Sequence, residues 1–252
     1  MTPPTIGSVN LDTARWPDVE PGRATVAVPV GAFEQHGPHL PLDTDTRIAS
    51  AVATALSGAT ALSGATALSG APSLADVAVA PPVAYGASGE HEGFAGTVSI
   101  GADVMESLLV EYGRSVCRWA ARVVFVNGHG GNAHALVKAV ALLRYEGRDA
   151  AWLPCSVPGG DAHGGDTETS LLLHLAPDVV AMDRAEVGST ESIVTLLPRL
   201  REGGIVAVSA NGVLGDPTAA SAERGAHMFA DLVERATAQV ARWQPDAEGR
   251  LR

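Results

Sequence analysis

Apolar and polar positions change period at regular intervals along the chain. "ATVAVPVG" (24–31), "RVVFVNG" (122–128) and "DAAWLPCSV" (149–157) are short runs with no polar face, the pattern of strands buried on both sides. "DVAVAPPVAYG" (76–86) reads as another strand ending in a turn. Between these runs, "TDTRIASAVATAL" (44–56), "VMESLLVEYGRSVCRWA" (104–120) and "AHALVKAVALLRYEG" (133–147) space their apolar residues as helices do, the last with a glycine stop. "GIVAVSANG" (204–212) continues the alternation as a strand-like run, followed by one long helix from Ser221 to Trp243. Strand and helix in alternation call for a mostly parallel sheet covered on both faces. The expected fold is α/β, a three-layer α/β/α sandwich forming one domain over residues 1–252.

One segment breaks the pattern. "ATALSG" occurs three times in succession, at 53–58, 59–64 and 65–70. On a helix, six residues leave Leu56, Leu62 and Leu68 about 120° apart, so the three share no buried stripe. Each copy also carries a glycine, which costs a helix interior roughly 1 kcal/mol relative to alanine. The segment reads as an expansion in a surface connection, with a frayed extension of the preceding helix as the alternative.

Charge narrows the partners. With 17 Lys and Arg against 28 Asp and Glu, the formal net charge of −11 disfavours nucleic acid and anionic membrane surfaces. No run approaches the roughly 18 apolar residues of a membrane span. Only Cys117 and Cys155 are present, and "MTPPTIGSVN" lacks the features of a signal peptide, so a cytoplasmic location is expected.

Three stretches carry candidate chemistry. "VPVGAFEQHGPHLPLDTD" (28–45) places Glu34 and His36 two apart at a strand end, where both side chains can face one point. Strand ends of this kind are where open α/β sheets place their sites. Asp45 lies where the chain can turn back with a third ligand, or act as a helix N-cap. "RVVFVNGHGGNAHAL" sets His129 in a glycine-rich turn after a strand, which suits either a metal ligand or a plain turn residue. Gly128, Gly130 and Ala133 also match the G-x-G-x-x-A dinucleotide fingerprint, but the next strand ends in "LPCSVPGG" without the acid that would hold the ribose. In "GGDAHGGDTETSLLLHLAPD", Glu168 opens a helix and suits its dipole. His163 sits on a glycine-rich loop expected to be mobile, as suits an acid/base group. His174, near the helix C-terminus, is read as structural.

Taken together, "EQHGPHLPLDTD", "NGHGGN", "HGGDTETS" and "GVLGDPTAASAERG" resemble the creatininase family of metal-dependent amidohydrolases, in the same order and on the same strand ends. "YGASGEHEGFAGTVSIG" (85–101) most resembles its mycofactocin-maturation branch, whose members remove a C-terminal Val-Tyr dipeptide from a modified precursor peptide. The resemblance implies two divalent ions, of Zn, Fe or Mn. One would be held by Glu34, Asp45 and His129, the other by His36, Asp45 and Glu168. It further implies His163 as the proton donor, Ser88 and His91 as substrate-pocket residues, a peptide substrate, and a homo-oligomer such as a hexamer. Gly131 stands where creatinine-hydrolysing members carry a ligand Glu, which argues against creatinine and is expected to leave room for a peptide end. A hydrolase of another small amide or formamide would keep the same site.

Overall fold

The computed structural model describes residues 9–62 and 77–252. Five strands form one sheet: β1 (Val9–Asn10), β2 (Thr25–Val30), β3 (Val77–Val79), β4 (Arg122–Asn127) and β5 (Ala150–Pro154). Their order is β1-β3-β2-β4-β5 and every pairing is parallel.

Alternate residues of each strand serve opposite cores. Val26, Val28, Val123 and Phe125 face helices α2 (Ala102–Val116) and α3 (Ala133–Tyr145), meeting Met105, Leu109, Leu136 and Leu143. Ala27, Val124, Val126 and Leu153 face α1 (Thr44–Leu62) and α6 (Ala222–Arg242), meeting Val52, Leu56, Leu232 and Val240. The three-layer sandwich expected from the alternation is the observed architecture. A further helix, α4 (Asp166–Leu175), packs on α6, and α5 (Ile193–Gly203) stands apart from the sheet. Among the described residues no helix is long and apolar enough to cross a membrane.

The β2–β4 register runs from Thr25↔Arg122 to Val30↔Asn127, so both central strands end at one level. From there α1 leaves toward one face and α3 toward the other. That divergence opens a crevice at the carboxyl edge of the sheet, the place where α/β proteins bind ligands.

Three expectations are corrected. The run 76–86 forms a strand only over Val77–Val79, because Pro81 and Pro82 have no N–H for the ladder; the chain rejoins β2 through Val83 N–H donating to Pro29 O at 2.9 Å. "GIVAVSANG" is not a strand but a 3-10 turn at Ile205–Ala207. Its apolar character serves a small separate cluster in which Ile205 packs with Leu196 and Leu214. The first ATALSG copy is not a surface connection but takes the alternative, an extension of the preceding helix: α1 continues through it, with Ala53 and Leu56 fully buried against the sheet. A shared stripe is not needed when one leucine of the repeat faces the core. Residues 63–70 of the repeats lie outside the described residues.

Leu56→Ala should therefore destabilise the protein by about 2–5 kcal/mol. Tyr145→Ala, at a side chain 89% exposed on α3, should change stability by less than about 0.5 kcal/mol. Urea denaturation of both variants measures the contrast.

Candidate metal centre

Two strand ends and one helix start build the centre. The loop after β2 carries Glu34, Gln35 and His36, and Glu34 N–H donates to Leu42 O at 3.0 Å, turning the chain back toward α1. The first turn of α1 then lies directly on the ends of β2 and β4. A Cβ at Gly31 would collide with Thr46, and one at Gly128 with the main-chain carbonyl of Asp45. Glycine at both positions lets Asp45 descend between the strands. Asp45 is thus inside α1 rather than its N-cap, with its carboxylate turned toward His36 and His129. Gly128 serves this helix contact, which gives the G-x-G-x-x-A spacing a cause other than a dinucleotide.

The side chains converge. Glu34 Oε1 lies 3.1 Å from His129 Nδ1 and 3.3 Å from His91 Nε2. Asp45 Oδ1 is 3.1 Å from His36 Nε2, and Asp45 Oδ2 is 3.5 Å from His129 Nδ1. Glu168, in the first turn of α4, brings Oε2 to 3.9 Å from His36 Nε2 and accepts a hydrogen bond from Gly164 N–H at 2.6 Å. Ligand atoms of three overlapping sets fall within 4.8 Å of one another: Glu34 with His36 and Asp45, Glu34 with His91 and His163, and His36 with His163 and Glu168.

These groups are nearly all buried, and their electrostatics follow. Both carboxylate oxygens of Glu34 and Oδ2 of Asp45 are buried with no hydrogen-bond partner among the described residues. Burying a carboxylate without compensation costs several kcal/mol. Burial opposes charging of His36, but Asp45, Glu168 and Glu34 outweigh it and push the imidazole up to about 10. His129 is raised well above its usual value against the same burial, chiefly by Glu34. Burial raises Asp45 to about 6 despite His36 and His129. The carboxylates draw protons onto His36 and His129, while burial and the neighbouring imidazoles hold His91 down at about 2 and His163 at about 4, so the carboxylates still call for positive charge at the centre. Carboxylate and imidazole donors without thiolate fit a divalent cation such as Zn, Mn or Fe.

A cavity of about 610 Å³ opens onto this cluster, its wall including Asp45, His91, His129, His163 and Glu168. Glu34, His36, Asp45, His129, His163 and Glu168 are thereby brought together as expected. Ser88 is buried, with its N–H donating to Ser99 Oγ at 3.0 Å, and does not line the cavity. His163 is not on a mobile loop: it is buried, and paired main-chain bonds with Leu214, at 3.3 Å and 2.7 Å, pin it. The space at Gly131 is not open either. A Cβ there would meet His129 Nε2, Ala87 O at 2.5 Å and Glu90 Oε1 at 2.7 Å, so the glycine lets the 87–90 turn close over His129. His174 is structural, its ring 5.8 Å from that of Phe229. His39, another imidazole of the first motif, is bonded to Thr169 Oγ1 at 2.8 Å.

Two residues on this wall were not read from the sequence. Glu90 approaches the outer edge of His129, with Oε1 at 3.5 Å from Nε2. Arg201, on α5, is the only Lys or Arg lining the cavity, and no acidic partner holds it among the described residues. A basic residue four positions after Leu197 on an amphipathic helix was the available signal, obscured by Pro198 within that helix.

Known proteins resemble this chain in sequence and backbone. The creatininase family model, described as creatinine amidohydrolase, matches residues 12–240. The mycofactocin precursor peptide peptidase of Mycolicibacterium smegmatis is 60% identical over 226 residues, 90% of this chain and 88% of that protein. Its namesake from Mycobacterium tuberculosis is 52% identical over 249 residues, 98% and 96% of the two chains. A manganese creatininase structure superimposes with a TM-score of 0.75 at 25% identity, covering 95% of this chain and all of that one. Matched in family, sequence and backbone, with a buried carboxylate and imidazole cluster at the mouth of its cavity, the chain belongs to the creatininase family and is a metal-dependent amidohydrolase.

Proposed function

We propose that this protein is a dinuclear metallopeptidase that removes the C-terminal Val-Tyr dipeptide from a modified mycofactocin precursor peptide. The observation that carries the dinuclear reading is the set of buried, unpartnered oxygens on Glu34 and Asp45, flanked by His36 and His129 on opposite sides. Glu34, Asp45 and His129 would hold one ion; His36, Asp45 and Glu168 would hold the other, with Asp45 shared. When bound, such a pair lowers the pKa of a water toward neutrality and polarises the scissile carbonyl.

The chain's own groups supply the rest. His163 lies on the cavity wall with Nδ1 3.9 Å from Glu34 Oε1, placed to pass a proton to the leaving nitrogen. The half-exposed Ile193 and Leu197 of α5 line the cavity and offer an apolar seat to the dipeptide side chains. Arg201 beside them is the one Lys or Arg on the cavity wall among the described residues, which suits the free carboxylate of a peptide terminus. The curated relatives named as peptidases support the peptide reading.

Metal content tests the centre. Asp45→Ala should lose both ions and His36→Ala one, read by elemental analysis per chain; two retained ions in Asp45→Ala would overturn the shared carboxylate. For substrate, metal-loaded protein should release intact Val-Tyr from the modified precursor and leave creatinine unchanged, both followed by mass spectrometry. Creatinine turnover with an intact peptide would instead favour a small-amide hydrolase. Arg201→Gln should raise KM for the peptide by about tenfold or more, the scale of one lost charge-assisted hydrogen bond, with kcat nearly unchanged.

A further inference from the structure

We infer that Gln35 is a positioning residue that fixes the ring protons of His91 and His163, holding one on Nε2 of each, so that the His91 proton is turned toward Glu34 and His163 Nδ1 is left facing the cluster. The inference rests on the reading of Glu34 as a ligand given above.

The orientation of the Gln35 amide comes first. Its Oε1 accepts from Gly37 N–H at 2.8 Å, which places Nε2 on the other side, 5% of the residue being exposed. That nitrogen has two protons and three neighbours: Gly212 O at 3.0 Å, His91 Nδ1 at 2.9 Å and His163 Nε2 at 3.2 Å. A carbonyl only accepts, so one proton goes to Gly212 O. His163 Nε2 also lies 2.7 Å from the main-chain oxygen of Gln35, which likewise only accepts. His163 Nε2 must therefore carry its own proton, and cannot take one from the amide. The second amide proton goes to His91 Nδ1, which must be bare.

The consequences follow from counting protons. His91 then holds its proton on Nε2, 3.3 Å from Glu34 Oε1, where the N–H dipole faces that carboxylate. A protonated nitrogen cannot ligate a metal, so His91 orients Glu34 rather than joining the Glu34, His91 and His163 set as a ligand. His163, its Nε2 proton committed to Gln35 O, turns Nδ1 toward the cluster, 3.9 Å from Glu34 Oε1, so Nδ1 is the ring nitrogen that would take up a proton released in the reaction and pass it to the leaving nitrogen. The steric setting supports this assignment: any side chain at position 212 would collide with the Gln35 amide, so the glycine there keeps the carbonyl within reach.

The test uses the full-length zinc-loaded protein labelled with ¹⁵N-histidine. Two-bond ¹⁵N–¹H correlation spectra should show the proton on Nε2 of both His91 and His163. A His91 proton on Nδ1, as metal ligation through Nε2 would require, overturns the inference. In Gln35→Glu the new carboxylate demands a donor, so the His91 proton should move to Nδ1. Turnover of the peptide should fall about 10- to 100-fold, with zinc content and KM unchanged, the scale seen for groups that orient ligands. An unshifted proton or unchanged kcat in a folded variant counts against the inference, and the wild-type spectrum decides alone if the variant does not fold. Because the spectra need no substrate, a zinc-loaded protein that leaves the peptide intact would overturn the peptidase reading without touching this one.

Discussion

The desolvation of Glu34 and Asp45 governs the region around them. Two carboxylates held away from water within reach of a common point are unstable unless cationic charge lies between or beside them. Two of the neighbours, His36 and His129, answer that requirement. His36 and His129 lean in from the two central strand ends, His91 from the turn after β3, and Glu168 from α4 completes the set at the cavity wall. The arrangement costs stability in the protein alone and gains it back from the positive charge it receives.

Such a cluster needs a scaffold that brings separate segments to one level without strain. The parallel sheet supplies it, because β2 and β4 end in register and α1 and α3 depart to opposite faces. Asp45 reaches the point between them only because both strands end in glycine, which removes the side chains that would hold α1 off. Topology makes the crevice, and two missing methyl groups let a helix start enter it.

The parts of this fold whose information is local were legible in the sequence. β2, β4 and β5 announced themselves as apolar runs, and Glu34 with His36 showed ligand geometry because strand pleat fixes residues two apart. The parts that depend on distant neighbours were not. The apolar run at 204–212 looks like a strand until its burial in a separate cluster is known. The first hexad repeat leaves helix and connection both open until the sheet beneath α1 is seen to bury Leu56. Gln35 sits in the most legible motif of the chain, yet its partners are Gly212 and His163, 177 and 128 residues away, and no spacing rule points to them.

The same span of chain gives the metal centre a second consequence. The proposed ligands run from Glu34 to Glu168 and come from loops of the sheet, from α1 and from α4. An ion held by them acts as a cross-link between layers, closing loops of a length for which the entropy of closure is large. Anything that binds the native state and not the unfolded chain shifts the folding equilibrium with its own concentration. Ions held at the proposed centre would therefore stabilise the folded chain as well as activate it.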